Sequence, residues 1–204
     1  MRGRYLKGGA DIVTLITHTP NPEHVVADAA RVCYNSHSTD DARLIRSLLR
    51  RGHLSPFEHV SFTFEIADVS RALLAQITRH RIASFSVQSQ RYVKQDGFDY
   101  VVPLSIQALG AEQRERFRAQ MAQIDKWYRG WLERGIPKED ARFVLPNAAT
   151  TRMVVTMNAR ELMHFFDLRC APDAQWEIRQ VAMEMRRLCA EVAPNIFKEE
   201  SKRI

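Results

Sequence analysis

Cysteine, glycine and proline are all scarce in this chain, at three, eight and eight of 204 residues. Cys33, Cys170 and Cys189 are odd in number, far apart and without a CxxC neighbour. That spacing argues against a disulfide framework or a zinc knuckle and fits a reducing cytoplasm. Little glycine and proline, with 45% hydrophobic and 26% charged residues, removes the disordered and fibrous classes. No apolar run approaches the roughly 20 residues that span a bilayer. The basic N-terminal stretch lacks the hydrophobic segment of a signal peptide. P-loop, GxGxxG and Ser-His-Asp patterns are missing, so nothing supports a kinase-type phosphate loop, a Rossmann fold or a hydrolase triad. The expectation is one globular domain over residues 1–204, with no membrane partner.

Acids are missing where the chain is most basic. The net charge of +6 favours an anionic partner, nucleotide or nucleic acid. Between Arg79 and Arg91 the chain reads Arg-His-Arg-Ile-Ala-Ser-Phe-Ser-Val-Gln-Ser-Gln-Arg, with three arginines and no carboxylate. Guanidinium groups and small hydroxyls together suit an anion, most naturally a phosphate. A solvated basic surface is the plainer alternative.

Apolar periodicity sets out the elements. Ile12–Thr17 reads as a strand, and Asn21-Pro22 opens a helix to about Cys33. Thr39 or Asp40 starts a second helix that stops before Gly52. Val60–Ile66 alternates as a half-buried strand, and Ser70 caps a short helix through Ile77 that delivers Arg79, His80 and Arg81 at its end. Phe98–Val102 and Met153–Met157 read as strands. Helices are expected over Ala111–Glu133, near Pro137, from Asn158, and from Pro172-Asp173 through Ala193. Irregular alternation of strands and helices points to an α+β fold with a mainly antiparallel central sheet flanked by helices.

Two further groups carry polar chemistry. In His53-Leu-Ser-Pro-Phe-Glu-His59 the histidine spacing fits no zinc pattern, and Pro56 breaks any helix between them. A turn presenting His53 and Ser55 to a ligand, held by Glu58 and His59, fits better; a turn with no ligand is also compatible. In Asn158–Arg169 the pair Asn158 and Glu161 resembles a capping box. The helix is apolar nearly all round, so Arg160, His164, Asp167 and Arg169 need partners. Arg160 and His164 share a face, whereas Arg169 is about 900° beyond Arg160 and points the other way. Either these residues serve different ligands, or different subunits complete one site. Cys170, on a buried helix, reads as packing and not as a thiolate nucleophile.

Taken together, Arg79-His80-Arg81 with Ser89 and Gln90-Arg91, the His53–His59 turn, Arg142-Phe-Val-Leu-Pro146, Asn158–Arg169 and Ala174–Arg179 resemble the flavin-dependent thymidylate synthases, in family order. The resemblance implies that family's fold and a homotetramer with active sites at subunit interfaces. It implies FAD, NADPH as reductant and 5,10-methylenetetrahydrofolate as carbon donor in converting dUMP to dTMP. By the same resemblance His53, Ser55, Arg79, His80, Arg81, Asn158, Ala159, Arg160 and His164 contact FAD. Gln76, Arg79, Val87, Gln88, Ser89, Gln90, Arg91, Arg142 and Arg169 hold dUMP, and no metal is implied.

In that reading Arg169 is the catalytic residue. Its guanidinium stabilises negative charge developing on the pyrimidine and so makes the ring reactive, which the classical synthase achieves instead by adding a cysteine to C6. Val87 stands where many relatives carry Glu or Gln, which leaves only a backbone contact there. His164 stands where some have Asn. The rival is a basic nucleic-acid-binding domain using the Arg79–Arg91 loop, whose affinity would fall steeply with salt.

Overall fold

The computed structural model describes residues 1–4, 12–34 and 39–198. In chain order the elements are β1 (Gly3–Arg4), β2 (Val13–His18), α1 (Pro22–Tyr34), α2 (Asp41–Arg51), a 3-10 turn (Ser55–His59), β3 (Ser61–Ser70), α3 (Arg71–Ile77) and β4 (Ala83–Val87). They continue with β5 (Tyr100–Val101), α4 (Leu104–Ala108), α5 (Ala111–Glu133), α6 (Lys138–Ala141) and a 3-10 turn (Arg142–Val144). β6 (Thr150–Asn158), α7 (Ala159–Arg169), α8 (Trp176–Val192) and α9 (Pro194–Phe197) complete the fold. β2, β3, β6 and β4 lie in that order in a mainly antiparallel four-stranded sheet flanked by helices, and β1 pairs in parallel with β5. The α+β expectation holds. Among the described residues no helix is long and apolar enough to cross a membrane.

Local chemistry explains the boundaries. Of the two candidate starts, Asp40 and not Thr39 accepts the Arg43 N–H and opens α2, and Gly52 at φ 69° ends it, as the sequence predicts. Ser70 accepts the Leu73 N–H at 3.1 Å to open α3. The last long helix begins later than Pro172-Asp173 suggests, because the Gln175 side chain accepts from the N–H groups of Glu177 and Ile178. Inside the basic segment β4 alternates half-buried Ala83, Phe85 and Val87 with exposed Ser84 and Ser86, a strand that the polar composition hides.

The chain forms two compact units. Among the described residues the first comprises 1–4, 66–79 and 86–153. Its core gathers Phe98, Tyr100, Val102, Met121 and Ala149, with Phe117 packed edge-on to Tyr100 at 5.8 Å. The second comprises 12–34, 39–65, 80–85 and 154–198. Its core includes Phe57, Phe62, Phe64, Leu162, Phe165, Ile178 and Met185, none of them exposed. Fully burying one such side chain contributes roughly 1.5–3 kcal/mol. Phe197 meets Phe62 edge-on at 5.4 Å and Phe166 at 5.8 Å, which fixes the last short helix.

Candidate active site

In the second unit β6 runs directly into α7. Asn158 leaves the strand extended and accepts the Glu161 N–H at 2.9 Å, half of the expected capping box. The other half is diverted: Glu161 directs Oε1 to His80 Nδ1 at 3.0 Å. Both side chains are buried, at 6% and 7% exposure for His80 and Glu161. Arg169, two turns along α7, donates from Nε to His80 Nε2 at 3.1 Å. Burial is the main cause holding the His80 pKa below its ordinary value; Glu161 opposes this, and the charges of Arg169 and His164 add to it. His80, Glu161 and His164 bring potential ligating atoms within 4.8 Å of one another. Both ring nitrogens of His80 are already engaged, by Glu161 and Arg169, so the group reads as a hydrogen-bonded relay.

Beside the relay lies a cavity of about 580 Å³. Its polar wall is Glu58, Asn158, Arg160, Glu161, His164 and Asp167, and its apolar wall is Leu54, Ile82 and Met163. The His53–His59 turn contributes Leu54 and Glu58, and Glu58 is hydrogen-bonded to Arg160 Nη1. Glu58 therefore ties the turn to α7, where the sequence suggested that it only steadies the turn. His53 and Ser55 are exposed on the same turn, anchored by buried Pro56 and Phe57. Arg81 is exposed next to Ile82, and Ala159 is buried under the first turn of α7.

Arg160 and His164 line the cavity, while Arg169 turns towards His80, as the helical spacing requires. The helix is less uniformly buried than its composition suggests. Leu168 is half exposed, so Arg160, His164, Asp167 and Leu168 form an open face opposite Leu162, Phe165 and Phe166.

The first unit holds the other predicted set. Arg79 is exposed just beyond α3, and its N–H donates to the Gln76 carbonyl at 3.3 Å. Val87 ends β4, and the Gln88 N–H donates to the Arg152 carbonyl at 2.9 Å. Ser89 Oγ accepts the Arg91 N–H at 3.2 Å and leaves its own proton able to donate. Arg91 and Arg142, far apart in sequence, meet at one residue. Arg91 Nε donates to Glu139 Oε2 at 2.9 Å, and Arg142 Nε donates to the Glu139 carbonyl at 3.0 Å. Gln90 is buried, and its Nε2 has no hydrogen-bond partner among the described residues. An orphaned buried donor is costly unless a ligand or water accepts from it.

Sequence reasoning missed Glu161 as a site residue, because the capping role already accounted for it. It also missed Arg71. Burial, with repulsion from Arg142, lowers the Arg71 pKa, and no ion pair joins either arginine among the described residues. Two crowded cations without a carboxylate suit an anion.

The cavity offers a guanidinium, an amide and an imidazole beside apolar side chains, and the other unit carries a cluster of arginines; each is chemistry suited to anionic small molecules. The family model described as thymidylate synthase complementing protein matches residues 14–195, and the chain belongs to that family. It is 50% identical over 199 residues to a flavin-dependent thymidylate synthase of Geobacter sulfurreducens, covering 92% of this chain and 85% of that one. A protein of the same name from Nitratidesulfovibrio vulgaris is 47% identical, with coverage of 91% and 84%. One from Pyrococcus abyssi is 43% identical, with coverage of 85% and 76%.

Proposed function

We propose that the protein is a flavin-dependent thymidylate synthase, a methyltransferase that converts dUMP to dTMP. It takes its carbon from 5,10-methylenetetrahydrofolate and its reducing equivalents from NADPH through FAD. The observation that carries this reading is the family match over residues 14–195, which spans both segments to which ligands are assigned here. Relatives of that name at 43–50% identity support it.

The residues present fit a flavin. Leu54, Ile82 and Met163 offer apolar surface to a planar ring, and Asn158, Arg160 and His164 offer an amide, a guanidinium and an imidazole to its polar edge and phosphates. His53, Ser55, Arg79, His80, Arg81 and Ala159 complete the assigned set. When bound and reduced, the flavin supplies the hydride that the substrate carbon needs.

The protein's own contribution is orientation and charge. Arg91 and Arg142 hold the dUMP phosphate with Ser89, while Gln76, Arg79, Gln88 and the orphaned Gln90 donor address the rest of the nucleotide. Val87 offers only its backbone. Arg169 stabilises negative charge developing on the pyrimidine, and no cysteine is required. The two units work as one functional domain, in a homotetramer that shares its sites between subunits, in the cytoplasm and without nucleic acid.

Absorbance of the purified protein tests this directly, followed by NADPH oxidation with and without dUMP. The expected result is a yellow protein whose NADPH oxidation and dTMP formation depend on dUMP. A colourless protein that cannot take up FAD, and that binds DNA with a steep salt dependence, would establish the rival reading instead.

A further inference from the structure

We propose that Glu161 is a positioning residue for Arg169, acting through the tautomer of His80. An arginine Nε–H can only donate, so His80 Nε2, 3.1 Å away, must carry the lone pair. The ring proton of the neutral imidazole therefore sits on Nδ1 and is donated to Glu161 Oε1 at 3.0 Å. The opposite tautomer would set two donors face to face at Arg169 and a lone pair against the Glu161 carboxylate. With His80 and Glu161 both buried, water cannot repair either mismatch. Phe165 fixes the imidazole plane by an edge-on contact at 4.9 Å, and the His164 ring stands 5.9 Å away, also edge-on. Among the described residues, the charged or titratable groups that act on His80 are Glu161, His164 and Arg169, all from α7. Glu161 and Arg169 lie about 12 Å apart along that helix, and His80 joins them. The carboxylate selects the tautomer, and the tautomer anchors the guanidinium.

This inference rests on the reading of Arg169 as the residue that acts on the pyrimidine, and its test separates the two. In the flavin-loaded protein labelled with ¹⁵N-histidine, the His80 resonances are identified by their loss in His80→Gln. They are expected to report the Nδ1–H tautomer at neutral pH. Glu161→Ala is expected to mix the tautomers and lower kcat roughly ten- to hundred-fold with flavin content retained. Glu161→Gln, whose Oε1 still accepts from Nδ1–H, is expected to restore the tautomer and most of kcat. An Nε2–H tautomer in the unmodified protein, or Glu161→Ala with unchanged kcat, overturns the inference. Full turnover in Arg169→Ala instead overturns the Arg169 reading and leaves the tautomer result standing.

Discussion

Glu139 holds Arg91 through a single hydrogen bond of 2.9 Å from Nε, and the same residue offers its carbonyl to Arg142. The two guanidinium groups proposed to grip a phosphate thus share one anchor. The Arg91 pair is about half exposed on both sides, where an ion pair is worth little. Arg91→Ala and Arg142→Ala are therefore expected to raise the KM for dUMP about ten-fold or more. Glu139→Ala, which keeps the backbone contact to Arg142, is expected to raise it less than about five-fold. Steady-state kinetics with dUMP as the varied substrate check the ranking, and equal damage from Glu139→Ala and Arg91→Ala would refute it.

Arg169→Ala is expected to retain flavin absorbance while dTMP formation falls roughly 10²- to 10³-fold, the usual cost of removing one preorganised charge stabiliser. Arg169→Lys keeps the charge but loses the Nε–H that His80 accepts, and it is expected to recover little. Loss of flavin with normal turnover per bound flavin would show that the residue serves the cofactor.

Stability is expected to fall on acidification. His80 is held below its ordinary 6.5 by burial first, so above 6.5 its neutral form contributes in full. As the pH drops below about 6.5 the unfolded chain takes up the proton first, and stability declines until the lower folded value is passed. Thermal unfolding between about pH 8 and pH 5 should show this decline, and His80→Gln should flatten part of it. A midpoint that rises with acidification in the unmodified protein, but not in the variant, would reverse the assigned sign.

Thiol chemistry should be confined to the surface. Cys189 is wholly buried, and burial pushes its thiol far above the ordinary value, whereas Cys33 is exposed on α1. Alkylating reagent is expected to modify Cys33 in the native protein with turnover unchanged, and Cys189 only on unfolding. Rapid labelling of Cys189, or inactivation on modifying Cys33, would bring a cysteine back into the mechanism.

Helices were the most legible part of the sequence, because their end signals are local. The Ala111–Glu133 helix has the expected bounds, Ser70 and Asn158 cap as expected, and Asp40 caps as one of the two expected candidates. β4 was not, since its serines and flanking arginines resemble a loop until other strands supply its hydrogen-bond partners. The same limit applies at the site. His80, Arg160 and Arg169 stood out as basic residues near apolar ones, but their partners Glu161 and Glu58 had adequate local roles and gave no signal. Glu161 is 81 positions from His80, and Glu58 is 102 from Arg160. Such pairings are products of tertiary structure alone.

The chain passes between its two units at Glu65 and Ile66, at Arg79 and His80, at Phe85 and Ser86, and at Met153 and Val154. Most residues assigned to dUMP fall in one unit and most assigned to FAD in the other, with neighbours Arg79 and His80 on either side of a crossing. Neither unit is therefore encoded by an uninterrupted stretch of gene. Truncation cannot isolate one, and no single recombination breakpoint can exchange one, so the parts proposed to hold nucleotide and cofactor must be inherited, engineered and lost together.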